Sequence, residues 1–391
     1  MNSFQKLFCF LLFNIIIFTS VLSLPLTAQN SRFEQAWNST SDFYLEKLQE
    51  YNVVGGALLF LEDGGVEEEI IYGLADISEN RKVDRQTIFH WASITKTFTA
   101  IAIMQLRDQG LLSLDDPLTE YLPELRKIHN PFGSMDEITI RMAINHSTGL
   151  RNPTWPWGGN EEWHPFEPME WEQLVAMFPY SEIEFEPGSK YSYSNPAIIF
   201  LGMIIEQLSG DPYEVYIDKN ILKPLEMYHS YFNYTPAHLL SHRSNSYSVE
   251  NGEPKARGLD FHTGITTSNG GLNASLNDMI KYLNFLLESS GSPHEVLLRP
   301  SLEELWEEEL PAEDAEGVFS NVGLSFFIEE DEGRRLIGHT GTQHSFYSFF
   351  YIHPESKTAV LSVTNSDENY SMHQFREEVM QYVSESLFSL F

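Results

Sequence analysis

Three short stretches of this 391-residue chain carry side chains suited to acyl transfer. The first is FHWASITKTFTA, residues 89 to 100, where Ser93 and Lys96 stand three apart in an otherwise apolar run. At that spacing the two share one face of a helix. A serine hydroxyl is a weak nucleophile and needs a base within hydrogen-bond reach, together with donors for the oxyanion that its attack creates. A neutral Lys96 can take the Ser93 proton; a protonated one instead lowers the cost of a neighbouring phenolate. The start of a helix also leaves backbone N–H groups without intrahelical acceptors and adds partial positive charge, so the Ser93 N–H is a candidate oxyanion donor. S-x-x-K is not specific by itself, because Ser3 and Lys6 match it too.

The second stretch, PGSKYSYSNPAIIFLG, offers Tyr193 as a phenol for proton relay and Asn195 as an amide to orient substrate. Y-x-N recurs at Tyr231–Asn233 and at Tyr282–Asn284, the latter inside an amphipathic helical pattern where Tyr282 and Leu283 are expected to pack. Only Tyr193 follows a Pro-Gly turn and precedes a long apolar helix, which sets it on a loop. The third stretch is RRLIGHTG, with His339, Thr340 and Gly341 at the end of an apolar strand. Small residues there let a substrate lie against the strand, and the Thr342 N–H is the candidate second oxyanion donor. A second H-T-G, at His262, Thr263 and Gly264, has no strand character and reads as loop.

These residues need a frame. VVGGALLFLEDGGVEEEIIYGLADI reads as two strands joined by a glycine turn at Gly64-Gly65, and SITKTFTAIAIMQLRDQGLL as a helix ending near Gly110. Residues 111–260 break into helical segments separated by Pro, Gly and aromatic loops, and NDMIKYLNFLLES is a further helix. Strands return in VGLSFFIEEDEGRRLIGHTG and SFYSFFYIHPESKTAVLSVTN, with turns at DEG and PESK, before a last helix that repeats Phe375, Val379, Val383, Leu387 and Phe391 every fourth residue. With strands only at the two chain ends, the expected fold class is α+β: an antiparallel sheet from both ends, flanked by helices, with a mainly helical insertion. The expected organisation is one hydrolase domain over 34–391, with 34–110 and 261–391 as the sheet lobe, 111–260 as the helical lobe, and a cleft between them as the site.

Composition narrows the function. The formal charge is −32, from 56 acidic and 24 basic residues, so polyanions are repelled and nucleic acid is excluded as a partner. The acidic runs EDGGVEEE, LEELWEEELPAEDAEG and EEDEGRR read as solvated surface. The first residues hold one lysine, a long apolar run and small residues up to Ala28, the pattern of a secretory signal peptide over 1–28. The expected location is periplasmic or secreted, with membrane attachment only if the leader stays uncleaved. The single cysteine, Cys9, lies within that leader, which leaves the mature chain without a disulfide or thiol nucleophile. Between Trp155 and Trp171 fall four of the seven tryptophans, read as a hydrophobic cluster under a loop in preference to a substrate-gripping rim.

Taken together and in this order, the motifs resemble the serine β-lactamase-like family, which includes class C β-lactamases, D-alanyl-D-alanine carboxypeptidases and related esterases. The resemblance runs from about Asn52 to Asn365 and includes YGLADI, LDDPLTEYLPEL, ITIRMAINHSTGL and SNGGLNASLNDM. It implies a β-lactamase/transpeptidase-like fold, with Ser93 as the acylated nucleophile and Lys96 and Tyr193 as the proton-transfer pair. Asn195 is then a substrate-amide contact, and His339 with Thr340 the strand-edge motif. The lactamases of the family commonly carry a lysine where His339 stands, and Y-S-N with H-T-G is more similar to the carboxypeptidase branch; yet that branch has an arginine on the neighbouring strand where VGLSFFI offers Phe327, and relatives usually have a glycine where Ser345 stands.

G-x-S-x-G, G-x-x-x-x-G-K-[ST] and H-E-x-x-H are absent from the sequence, and no metal or cofactor is implied. The reading is an exported serine hydrolase that forms an acyl-enzyme at Ser93 on a small-molecule or peptide amide or ester. The alternatives are a β-lactamase or D-alanyl-D-alanine carboxypeptidase and, from another class, a penicillin-binding sensor or binding module with little turnover. The missing strand arginine and the acidic surface point to an uncharged leaving side.

Overall fold

The stretch GGALLFLE is apolar on both faces of a period-two strand, which demands a covering layer on either side. The computed structural model describes residues 31–150, 168–289, 296–312, 319–331, 333–368 and 370–391; the expected leader over 1–28 and Trp155, Trp157 and Trp163 lie outside them. In it this stretch is β1 (Gly55–Glu62) of a nine-stranded antiparallel sheet. The sheet runs β3 (Arg81–Lys82), β2 (Gly65–Asp76), β1, β14 (Thr358–Thr364), β13 (Phe346–His353), β12 (Arg334–Gln343), β11 (Phe327–Asp331), β10 (Asn321–Val322) and β9 (Leu310–Pro311). Both chain ends therefore build one sheet, joined where β1 pairs with β14 from Gly56↔Thr364 to Glu62↔Thr358.

Alternate residues of the central strands feed two cores. Ala57, Leu59 and Leu61 of β1 with Phe350 and Ile352 of β13 face the helix Thr95–Asp108 and the helical region, meeting Phe98, Ile101, Ile198 and Leu201. Leu58 and Phe60 with Phe349 and Tyr351 face the opposite side. There a helix over 31–50 brings Tyr44 and Leu48, and the helix Met372–Ser386 brings Phe375, Val379 and Val383. Burying each of the leucine, isoleucine, valine and phenylalanine side chains among them stabilises the fold by about 1.5–3 kcal/mol. The fold class is α+β, as the periodicities predict.

Two expectations change. The β1–β2 turn is centred on Asp63 and Gly64, both at positive φ (39° and 95°), and Gly65 is already in β2 opposite Glu62. Paired positive φ values suit the right-handed twist of a tight hairpin, which is why the turn closes one residue earlier than Gly64-Gly65. Strands also occur in the middle of the chain. β4 (Ile88–His90), β8 (Leu272–Ser275) and β5 (Ser230–Phe232) form one three-stranded sheet, and β15 (Ser366–Asp367), β6 (Tyr247–Glu250) and β7 (Glu253–Ala256) another. Segments of two to four residues are too short to show a period of two, and tertiary pairing alone makes them strands.

Candidate active site

The turn that carries Ser93 is fastened to β8. Trp91 donates its backbone N–H to Leu272 O (2.9 Å) and its indole N–H to Ala274 O (2.9 Å), while the Leu272 N–H donates to Thr95 Oγ1 (3.0 Å). Ala92 follows at φ +47°, a conformation costing a non-glycine residue about 1–2 kcal/mol, and Thr95 Oγ1 donates to its carbonyl (2.6 Å). Ala92–Ile94 is a single 3₁₀ turn leading directly into the helix Thr95–Asp108. Every residue from Thr87 to Leu106 is buried except Ser93. The turn thus pushes one hydroxyl out of the core.

Lys96 is fully buried, and its Nζ donates to Ser93 Oγ (3.1 Å) and to Asn269 O (2.7 Å). The same nitrogen lies 4.9 Å from the centroid of the Tyr193 ring. Tyr193 precedes the helix Asn195–Ser209, whose N-cap Ser194 accepts from the Ala197 N–H (3.3 Å) and whose second residue is Pro196. Cap and proline fix where the helix starts, and thereby hold the half-buried Tyr193 just outside it. Asn195 is the first helical residue, and its carbonyl accepts from Asn269 Nδ2 (3.4 Å).

β12 forms the far wall. β11 pairs with it as far as Phe327↔Gly338, so the ladder between the two strands ends one residue before His339. A Cβ on Gly341 would come 2.3 Å from Trp91 O, so glycine is what lets the strand lie against the Ser93 turn. Gln343 at the end of β12 reaches the buried His90, whose ring nitrogens lie 2.9 Å from Gln343 Oε1 and 3.1 Å from Asn273 Oδ1. His339 is buried, with Nδ1 2.5 Å from Thr340 O and its ring 5.0 Å from Phe327. Phe327 stacks in turn on Tyr193 (6.5 Å, 22°).

Ser93, Lys96, Tyr193, Asn195 and the His339–Thr342 segment are thus carried to one place from three distant parts of the chain. The second H-T-G is elsewhere: exposed His262 accepts from the Gly264 N–H (2.9 Å) and lines a cavity of about 250 Å³ with Glu170, Trp171 and Glu206. Tyr231 lies in β5, and Tyr282 is buried, donating to Thr97 Oγ1 (2.7 Å).

Three contributors escape the motif search. Asn269 acts through its carbonyl, which no residue type signals. Arg376 comes from the C-terminal helix, and its Nη1 donates to Gly341 O (3.0 Å) and Thr342 Oγ1 (2.7 Å). Its signal was a basic residue on the apolar face of that helix, four after Met372 and three before Val379. A guanidinium therefore does reach this strand, from the helix layer and not from β11. The third is His146, stacked on Tyr193 with ring centroids 4.6 Å apart. Burial, with Lys96 and His339 beside it, holds its imidazole well below the usual range, so it is neutral.

A family model described as Beta-lactamase matches residues 40–384. The chain belongs to this family of hydrolases. Among curated relatives, Protein flp of Staphylococcus aureus (strain COL) is 25% identical over 323 residues, 83% of this chain and 62% of its own length. The chain thus spans less than two thirds of that relative. An octameric penicillin-binding protein homologue from Pyrococcus abyssi superposes with a TM-score of 0.74 at 28% identity, over 90% of this chain and 77% of that one. A D-amino acid amidase from Ochrobactrum anthropi SV3 shares the fold with a TM-score of 0.70 at 22% identity, over 90% and 99%.

Proposed function

We propose that this β-lactamase-family chain is a serine hydrolase that forms an acyl-enzyme at Ser93 on an amide or ester. The observation that carries the reading is the 3.1 Å contact between Lys96 Nζ and Ser93 Oγ, in a segment where Ser93 alone escapes burial. In the acylation step Ser93 Oγ bonds to the substrate carbonyl carbon while its proton passes to Lys96 Nζ or the Tyr193 oxygen. The Ser93 and Thr342 N–H groups hold the oxyanion. Collapse breaks the C–N or C–O bond, and the leaving group departs with the proton returned by the same pair. Water then attacks the ester with the proton path reversed. Asn195 orients the acyl side, and the edge of β12 beyond Gly338 receives it. Export through the leader over 1–28, to the periplasm or outside the cell, and a small-molecule or peptide acyl donor complete the reading; both rest on the sequence.

For the leaving side, Phe327 in place of a strand arginine favours a neutral group. A second reading, a D-alanyl-D-alanine carboxypeptidase, is favoured by the Arg376 guanidinium at Thr342, which puts positive charge beside the strand edge. We rank the neutral leaving group first, because Arg376 is itself buried and already donates to Gly341 O and Thr342 Oγ1. Mass spectrometry with a fluorophosphonate, a penicillin, an aryl ester and a D-alanyl-D-alanine peptide as free acid and as amide tests both. Ser93→Ala is expected to lose all labelling with little change in Tm, and the neutral donors to react faster than the free acid. Labelling that persists in Ser93→Ala refutes the nucleophile. Faster turnover of the free acid installs the carboxypeptidase, and single acylation without release makes the protein a penicillin-binding sensor.

A further inference from the structure

The segment INHSTGL was notable in the sequence only as part of a family likeness, yet in the fold it is the bed on which the Tyr193 loop lies. Three backbone bonds tie the two together: Glu184 N–H to Gly149 O, Gly188 N–H to Ser147 O and Ser192 N–H to His146 O, each 2.8 Å. A fourth comes from a side chain, since the Ser194 N–H donates to His146 Nδ1 at 3.2 Å. His146 therefore accepts from the residues immediately before and after Tyr193, once with its carbonyl and once with its ring. The ring also lies against the Tyr193 ring at 30°. One residue thus grips the tyrosine at three points.

We infer that His146 is a positioning residue for Tyr193, fixing the backbone on both sides of the tyrosine and the plane of its ring so that the phenol stays beside Lys96. The inference rests on the reading of Tyr193 as part of the proton path. Three properties of the site fit it. His146 is fully buried at φ +62°, a strained conformation that persists only where the surroundings hold it. Nδ1 accepts a hydrogen bond, so the neutral ring carries its proton on Nε2; protonation of Nδ1 would set two donors face to face and add a cation next to Lys96. Nε2 itself has no hydrogen-bond partner among the described residues. Among the described residues the ring's one hydrogen bond is the one to the Tyr193 loop, which separates this histidine from one that merely bridges core polar groups.

The test measures acylation by an aryl ester or fluorophosphonate per folded molecule of the full-length protein. His146→Gly accepts the positive φ but removes both ring and acceptor, whereas His146→Asn accepts the φ and restores a short acceptor for the Ser194 N–H. We expect His146→Gly to slow acylation at least about tenfold and His146→Asn to recover to within about threefold of the unmodified protein. In a Tyr193→Phe background the glycine substitution should change the rate less than about twofold, because an effect transmitted through the phenol vanishes with the phenol. The inference falls if His146→Gly lowers Tm but leaves acylation intact, or if its loss is equally large without the phenol. If Tyr193→Phe itself acylates at the unmodified rate, it is the reading of the proton path that fails.

Discussion

His339 and His262 head identical tripeptides and differ in their surroundings. His339 is buried on β12 against Phe327, one residue from the Thr340 carbonyl its ring contacts; His262 stands exposed in a loop ahead of a 3₁₀ turn, where its ring accepts from the Gly264 N–H and lies near Tyr234. A side chain in the wall of the site affects the reaction, and a solvated loop cap affects little beyond its loop. His339→Ala is therefore expected to slow acylation at least about tenfold, about 1.4 kcal/mol of transition-state stabilisation, and His262→Ala less than twofold. Stopped-flow acylation of both variants decides it, and the reverse ranking would place the reacting edge at the other H-T-G.

At the scale of elements, the site depends on how closely β12 and the Ser93 turn approach. Their spacing is set at Gly341, where an added Cβ meets the Trp91 carbonyl at 2.3 Å and Ser348 Oγ at 2.5 Å. A hydroxyl can rotate away, but the carbonyl belongs to a turn fastened to β8 by three hydrogen bonds. Gly341→Ala must then move the strand, and with it the Thr342 N–H, away from Ser93. Because an ångström of misplacement in a reacting array costs roughly a hundredfold, the expected result is a loss of that order in kcat/KM, with a Tm lower by only a few degrees. Full activity in Gly341→Ala would show that the strand does not serve the reaction through this contact.

For the whole molecule, pH sets two opposed effects against each other. The net charge of −32 repels itself, so adding protons to surface carboxylates relieves the folded state. The buried histidines act the other way. Burial, helped by Arg243, pushes His90 down to about 3, and His146 is lowered too. Their folded values lie below the unfolded value near 6.5, so from there down to the folded value the unfolded chain binds the extra protons and stability falls as pH falls. Each contributes at most about 1.4 kcal/mol per pH unit. Salt screens exposed charges beyond about 8 Å and leaves buried groups nearly untouched. Urea unfolding in about 0.5 M salt should therefore show at least about 2 kcal/mol less stability at pH 5 than at pH 7, and His90→Gln should shrink that difference. Equal stability at both pH values would overturn the account.

What the sequence determined by itself is what is local in the chain. The i, i+3 spacing of Ser93 and Lys96, the continuous apolar runs of β1 and β13 and the every-fourth-residue repeat of the C-terminal helix are local patterns, legible within a single segment of the chain. The Pro-Gly turn and the long apolar run after it likewise placed Tyr193 on a loop ahead of a helix. Tertiary structure decided everything that depends on which distant segments meet. It made strands of β4, β5, β6 and β8, brought the Asn269 carbonyl to Lys96, and laid Arg376 on Thr342 and His146 under Tyr193. A carbonyl has no signature in residue type, a strand of three or four residues has no measurable period, and a buried histidine or arginine reads as surface until its neighbours are known. Close packing around two cores selects those neighbours, and that selection is a property of the folded chain as a whole.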